Sequence, residues 1–318
     1  MKVVIAGATG FMGRRLHTHF AGVGHQVRTI GRTGDATWGD AQAIVGAIDG
    51  AELLINLAGK SVDCRYGQAN RAEIIRSRVE TTRELAHAVS RASTPPPLWL
   101  NASTATIYRH ADDRPMTESN GELGEGFSVA VARAWEDAFF ADALPATRRV
   151  ALRTAITLGD GSALVPLLRL ARLGLGGAQL DSRWPASRAR LSAGTYHRFG
   201  TPHGRQRFSW VHLDDVVGIV EFLREHAELD GVLNVSSPHP VDSVELMRTV
   251  RRVLGVPAGL PLPRVALEAG AFAIRTETEL VLKSRWVLPE RLLDAGYRFR
   301  YPELRPALDA IVAERRAA

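Results

Sequence analysis

The sequence predicts an α/β protein: a Rossmann-like, doubly wound parallel sheet joined to a smaller, mostly helical C-terminal substrate lobe. Three observations carry that reading. A short apolar run, VVIA at 3–6, leads directly into the glycine loop GATGFMG. Strand and helix signals then alternate as far as Leu158. Beyond it the alternation fades into a mostly helical pattern. Parallel strands are covered by helices on both faces, so they read as continuous apolar runs rather than as alternating ones.

Taken in order, residues 3–6 read as the first strand and 11–20 carry helical periodicity. Residues 26–30 and 52–57 read as the second and third strands. A long helical stretch at 71–89 places Ile74, Ile75, Val79, Leu85 and Val89 at apolar positions, and the prolines at 95–97 end it. A fourth strand begins at 98–100, a helix is expected over 129–140 and a further strand over 149–152. Past Leu158, a helical patch at 164–173 runs into GLGG. The stretch 178–203, rich in Ser, Arg, Gly and Pro, is expected to be a long loop or insertion. SWVHLDDV at 209–216 restores a strand-to-helix signal, and 231–235 reads as one more strand. The remainder is helical, with a short aromatic strand expected at 297–301. This predicts a dinucleotide-binding domain from 1–159 plus 207–236 and a substrate lobe from 160–206 plus 237–318.

Composition removes several alternatives. With 318 residues, 45% hydrophobic and 23% charged, the chain can bury a large core. No apolar run approaches the length of a membrane span. The start of the chain lacks a small-residue cleavage site, so no signal peptide is expected. Cys64 is the one cysteine, which excludes an internal disulfide and any multi-cysteine metal site. The ten histidines show no ligand spacing, so no metal is expected. The net charge of +6 comes mostly from arginines spread along the chain among 34 acids. That pattern lacks the basic stripe of a nucleic-acid binder. A cytoplasmic monomer or homodimer acting on a small molecule is the expectation.

The glycine loop is the sharpest motif. Gly7 permits the tight turn, Gly10 lets the backbone approach a pyrophosphate, and Gly13 lets helix and strand pack closely. Thr9, Phe11 and Met12 lie in the same loop and first turn, where free N–H groups face the phosphates. At the end of the second strand an NAD site places a carboxylate on the ribose 2′-hydroxyl. Here Ile30-Gly31-Arg32-Thr33 puts an arginine there, with Asp35 the nearest acid. The planar fork of Arg32 suits a 2′-phosphate, which predicts NADP(H).

GATGFMG, NLAG at 56–59 and STATIY at 103–108 resemble an extended short-chain dehydrogenase/reductase. SRVETT at 77–82, LRTAITLG at 152–159, RLGLGG at 172–177, GRQRFSWVHLDDV at 204–216 and PERLLDAGYRF at 289–299 narrow the likeness. They resemble the atypical epimerase family protein branch, related to nucleotide-sugar epimerases. The stretch 178–203 is longer than that family's pattern. The resemblance implies that Leu57, Ala58 and Gly59 run along the cofactor and that Ser103 borders it. It places Arg78 where related epimerases carry an asparagine, against a cofactor phosphate or an acidic substrate group, with Glu73 sharing its helix face. Thr157 would line the nicotinamide side. Lys60, after NLAG, departs from the family pattern, which more often has an acid there.

The chemistry of that superfamily needs a Ser/Thr, a Tyr and a Lys four residues beyond the Tyr. Thr104 matches the first. The region expected to hold YxxxK reads EGFSVAVARAWE and contains neither residue, and Ser128 or Val129 and Ala132 or Arg133 occupy the two positions. Tyr108 is the candidate substitute phenol, Arg133 the candidate cation, and His212 and Asp214 the candidate proton carriers. An acid at 214 or 215 capping the helix is the structural alternative. Three functions stay open: an NADP-dependent oxidoreductase or epimerase working by substitutes, a catalytically silent NADP(H) sensor or regulator, and a scaffold for a protein partner.

Overall fold

The computed structural model describes residues 1–161, 164–182, 184–273 and 277–317. Its centre is a seven-stranded, wholly parallel sheet built from β1 (Lys2–Ala6), β2 (Gln26–Gly31), β3 (Ala36–Thr37), β4 (Leu53–Asn56), β5 (Leu98–Thr104), β6 (Arg148–Thr154) and β11 (Gly231–Val235). The order is β11-β6-β5-β4-β1-β2-β3, so the winding reverses between β1 and β4. Ligands of open α/β sheets bind in the crevice at that reversal, beyond the carboxyl ends of the strands.

Alternate residues of each strand serve the two faces. Val3 and Ile5, Leu53 and Ile55, and Leu98 and Leu100 pack under α1 (Phe11–Gly22) and α7 (Leu213–Glu225). Val4, Leu54, Trp99 and Ala151 face the other way, toward α2 (Ala41–Ile48), α3 (Gln68–Arg91) and α4 (Phe127–Phe140). Both sets are buried, which is why each strand reads as apolar throughout. The helix α2 is absent from the sequence reading: it is short, contains Gly46, and begins at Asp40, whose side chain accepts from the Ala43 N–H.

A separate core joins α5 (Leu164–Arg172), α8 (Ser243–Leu254) and α12 (Leu304–Ala317), with Leu168, Trp210, Met247 and Leu308 inside. The short strand β7 (Ile156–Leu158) pairs in parallel with β10 (Trp210–His212), which feeds α7. The stretch expected to be a loop at 178–203 carries β8 (Gln179–Leu180), paired with β13 (Leu262–Pro263), and α6 (Arg188–Ser192). No helix among the described residues is long and apolar enough to cross a membrane.

The expected strand at 297–301 is not one. Among the described residues its backbone pairs with no strand; the Arg300 and Tyr301 N–H groups instead donate to the Asp215 carboxylate at 2.6 and 3.0 Å, and the Tyr297 hydroxyl donates to the Asp215 carbonyl oxygen. Hydrogen bonds to a charged acceptor contribute about 1.5–3 kcal/mol each. Asp215→Ala is therefore expected to lower stability by roughly 2–4 kcal/mol. Urea unfolding checks this, and a loss near zero would mean that the segment is held by its aromatic contacts alone.

Candidate active site

The loop between β1 and α1 is built by contact as much as by conformation. Gly7 has φ +84°, and a Cβ there would stand 2.9 Å from the Ala58 nitrogen. A Cβ on Gly13 would stand 2.3 Å from the Gly7 carbonyl oxygen. The loop therefore lies directly on the Leu57-Ala58 backbone. Helix α1 starts at Gly10 with no side chain capping it and no acid in its first turn. Such a bare amino end, with exposed Thr9 beside it, fits a pyrophosphate. Phe11 sits over Gly159, and the Thr157 hydroxyl donates to the Met12 sulfur at 3.7 Å, closing one wall of the crevice.

Arg32 is exposed just beyond β2 and, among the described residues, makes no ion pair. Asp35 is occupied elsewhere. It accepts from the Thr29 N–H and hydroxyl, both at 2.8 Å, and from Arg28 at 2.9 Å. The Thr29 backbone bond, with those side-chain bonds, holds its pKa below the usual carboxylate range.

Beneath the NLAG turn lies a polar lattice that the motifs did not disclose. Asn56 donates to Asn101 at 2.7 Å and to Thr82 at 3.1 Å, and accepts from the Ala58 N–H. Trp135 of α4 donates to the same Thr82 hydroxyl. Arg78 lies against Gly59, stacks over Trp135 at 4.9 Å, and donates to the carbonyls of Lys60 and Ile74. Burial pushes its pKa down to about 10. Glu73 does not share in this: its carboxylate pairs with Arg76 on the outer face, because a three-residue step brings those two side chains together. Lys60 is tied through its backbone N–H to Ser77.

The expected catalytic groups are largely engaged. Ser103 donates to Glu136 at 2.5 Å, and Glu136 forms a buried two-bonded pair with Arg153. Thr104 caps the turn that follows β5, accepting from the Thr106 N–H. Tyr108 is 1% exposed; its hydroxyl donates to Asn234 at 2.8 Å and accepts from Arg153 at 3.0 Å. Burial raises its pKa. That is a core phenol with both bonding directions used, so it corrects the expectation of a proton donor. Arg133 points outward on α4.

One ring nitrogen of His212 is likewise engaged, while its Nε2 is buried with no hydrogen-bond partner among the described residues. Its Nδ1 accepts the Asp214 N–H at 3.1 Å and so caps α7, while its ring rests on Tyr301 at 4.1 Å. The capping group is thus the histidine itself and neither acid. Asp214 pairs with Arg15, and Asp215 holds the 297–301 segment.

A second constellation gathers at the first turn of α4, from residues far apart in sequence. Ser128 donates to Glu279 at 2.7 Å. His197, delivered by the 178–203 stretch, places Nε2 3.9 Å from the same carboxylate. The Phe127 N–H donates to the Gly194 carbonyl, which seats that stretch on the helix end. Tyr66 packs on Phe127 at 5.0 Å, and its N–H donates to Glu277. Lys283 reaches the Thr106 carbonyl at 2.8 Å, its pKa lowered to about 8 by burial. An ionic chain of Asp181, Arg264, Glu268, Arg190, Glu277 and Arg65 ties these segments together. A concavity of about 1140 Å³ opens at the opposite end of the sheet, where Arg148 donates to the Leu223 and Leu229 carbonyls. It is unrelated to this crevice.

The fold and the glycine cradle define a nucleotide-binding protein of the short-chain dehydrogenase/reductase type. Residues 3–127 match the NAD dependent epimerase/dehydratase family, and 262–311 match a domain of unknown function, DUF1731. The chain is 32% identical to the human epimerase family protein SDR39U1 over 98% of its own length and 100% of that protein's. It is 29% identical to the Bacillus subtilis epimerase family protein YfhF over 99% of each. The crystal structure of human SDR39U1 with NADPH superimposes with a TM-score of 0.82, at 28% identity and 98% and 99% coverage. The chain belongs to this family of epimerase family proteins.

Two expectations follow. Gly13→Ala must separate α1 from the loop, at a cost of about 1–3 kcal/mol for overpacking; thermal unfolding and cofactor titration should both weaken. Burial lowers the His212 pKa from 6.5 to about 4, so between these values the unfolded chain binds the extra proton. Stability is present above pH 6.5 and falls on acidification toward 4. His212→Asn keeps a capping side chain and should flatten that acid limb in pH-dependent unfolding; an unchanged slope would assign it to other groups.

Proposed function

We propose that this chain binds NADP(H) in preference to NAD(H) and uses it in an oxidoreductase or epimerase reaction on a small carbonyl or hydroxyl compound. The carrying observation is the pairing state at the end of β2: among the described residues the exposed Arg32 makes no ion pair, whereas Asp35 is locked to Thr29 and Arg28. A free guanidinium meets a 2′-phosphate with charge-assisted bonds, and the one nearby acid is unavailable to a ribose hydroxyl. When bound, the cofactor supplies or accepts a hydride. Gly7, Gly10 and Gly13 hold its pyrophosphate, Arg32 the adenosine phosphate, and Leu57 to Gly59 its length. The NADPH bound to the human relative agrees with this choice. The protein acts as a monomer or homodimer in the cytoplasm, on neither nucleic acid nor membrane.

A second reading, a cofactor sensor without turnover, is favoured by one observation: Thr104, Tyr108 and His212 are all engaged in structural hydrogen bonds. Following NADPH absorbance across carbonyl compounds separates the two, since the sensor binds and does not consume it.

Charge-assisted bonds of about 1.5–3 kcal/mol each make a ten- to hundredfold preference for NADP(H) reasonable. Arg32→Ala should remove most of it and leave NAD(H) affinity nearly unchanged. Arg32→Asp should reverse it, because a carboxylate repels the phosphate and accepts from a free 2′-hydroxyl. Fluorescence titration of both cofactors decides this; equal wild-type affinities would reduce Arg32 to a surface arginine.

A further inference from the structure

An arginine selects a 2′-phosphate well only when its own place is fixed, because ordering a mobile loop on binding subtracts from affinity. The end of β2 is fixed on both sides. The Gly7 N–H donates to the Ile30 carbonyl at 3.0 Å, which ties the strand end to the glycine loop and so to the pyrophosphate cradle. Ile30 and Gly31 pair with Ala36 and Thr37 of β3, and the Trp38 N–H donates to the Gly31 carbonyl at 3.1 Å. Residues 32–35 alone make the turn between these anchors, and all four are exposed.

One pair of residues closes that turn. The Asp35 carboxylate accepts from the Thr29 N–H and hydroxyl, both at 2.8 Å, and the Asp35 N–H donates back to the same hydroxyl at 3.2 Å. Gly34, at φ +144°, lies flat against the closure: a Cβ there would stand 2.8 Å from Thr29 Oγ1. A Cβ on Gly31 would stand 2.9 Å from the Thr33 carbonyl oxygen, so the chain doubles back at that point. Arg28 donates to the other Asp35 oxygen at 2.9 Å. The carboxylate is thereby paired with a cation other than Arg32.

We propose that Thr29 and Asp35 are positioning residues for cofactor choice: they close 29–35 into a fixed loop that presents Arg32 to the 2′-phosphate of NADP(H).

The proposal gives Asp35 an effect opposite in sign to its charge. By Coulomb attraction and repulsion alone, a carboxylate three residues from Arg32 disfavours a phosphate, and its removal would tighten NADPH binding. As the closure of the loop, its removal loosens Arg32 and weakens NADPH binding. Thr29 carries no charge, so its hydroxyl separates the two effects. The Arg28 and Asp35 side chains are 44% and 36% exposed, and bonds at such a surface are removable without unfolding the chain.

This inference rests on the cofactor reading, and its test is fluorescence titration with NADPH and with NADH. Thr29→Val deletes the hydroxyl and keeps a strand-forming side chain. It should weaken NADPH about three- to tenfold, the range of one or two lost neutral hydrogen bonds, and leave NADH nearly unchanged. Thr29→Ser, which restores the hydroxyl, should restore the preference. Asp35→Ala should weaken NADPH in the same way although it removes a negative charge. In an Arg32→Ala background, Thr29→Val should have no further effect, because the two residues act as one. Tighter NADPH binding by Asp35→Ala, equal weakening of both cofactors by Thr29→Val, or an undiminished effect without Arg32 would each overturn the positioning role while wild type still prefers NADPH. Equal wild-type affinities for NADPH and NADH would overturn the cofactor reading and this inference with it.

Discussion

The buried pair of Glu136 and Arg153 is the constraint around which the crevice is arranged. It joins α4 to β6, and through Ser103 and Tyr108 it reaches the end of β5 and the turn beyond it. Asn234 extends the connection to β11. A buried ion pair is costly to desolvate and is tolerated where both charges are fully hydrogen-bonded. Satisfying Glu136 and Arg153 takes up the Tyr108 hydroxyl that a motif reading assigns to chemistry and the Ser103 hydroxyl expected beside the cofactor. The floor of the site is rigid for the same reason that it is chemically quiet.

The dinucleotide half was legible because its requirements are local. Gly7 and Gly13 are glycine because a Cβ would strike backbone about fifty residues away at the first and five or six residues away at the second, and either way the demand falls on one residue type in one short string. Strands buried on both faces announce themselves as VVIA or LLIN. The segment at 297–301 misled for a physical reason: alternating aromatics mimic a strand, but a carboxylate from α7 takes its backbone N–H groups. His212 was visible at a strand-to-helix junction, yet sequence could not tell a catalytic imidazole from one that caps the helix.

The constellation at the first turn of α4 was not legible, because no string contains it. Ser128 and Glu279 are 151 residues apart, and Tyr66 and Glu277 are 211 apart. The ionic chain from Asp181 to Arg65 crosses five segments and ends beyond the NLAG turn. Tyr196, between Arg190 and Arg264 at 5.5 and 4.7 Å, stiffens its middle. The stretch 178–203, legible only as extra length, turns out to be the piece that seats His197 and Gly194 on α4.

The vacated first turn of α4 has a consequence for how such a chain can change. Ala132 is fully buried among Ala105, Ile107, Tyr108 and Val129. A lysine there would carry an ammonium into an apolar cluster with no counter-ion, where it would lose its proton or break the packing. A tyrosine at 128 would have to expel the Glu279 carboxylate that Ser128 now satisfies. The two positions are thus tied into their surroundings, Ala132 by burial and Ser128 by its bond to Glu279, so a YxxxK pair there would require both to be repacked.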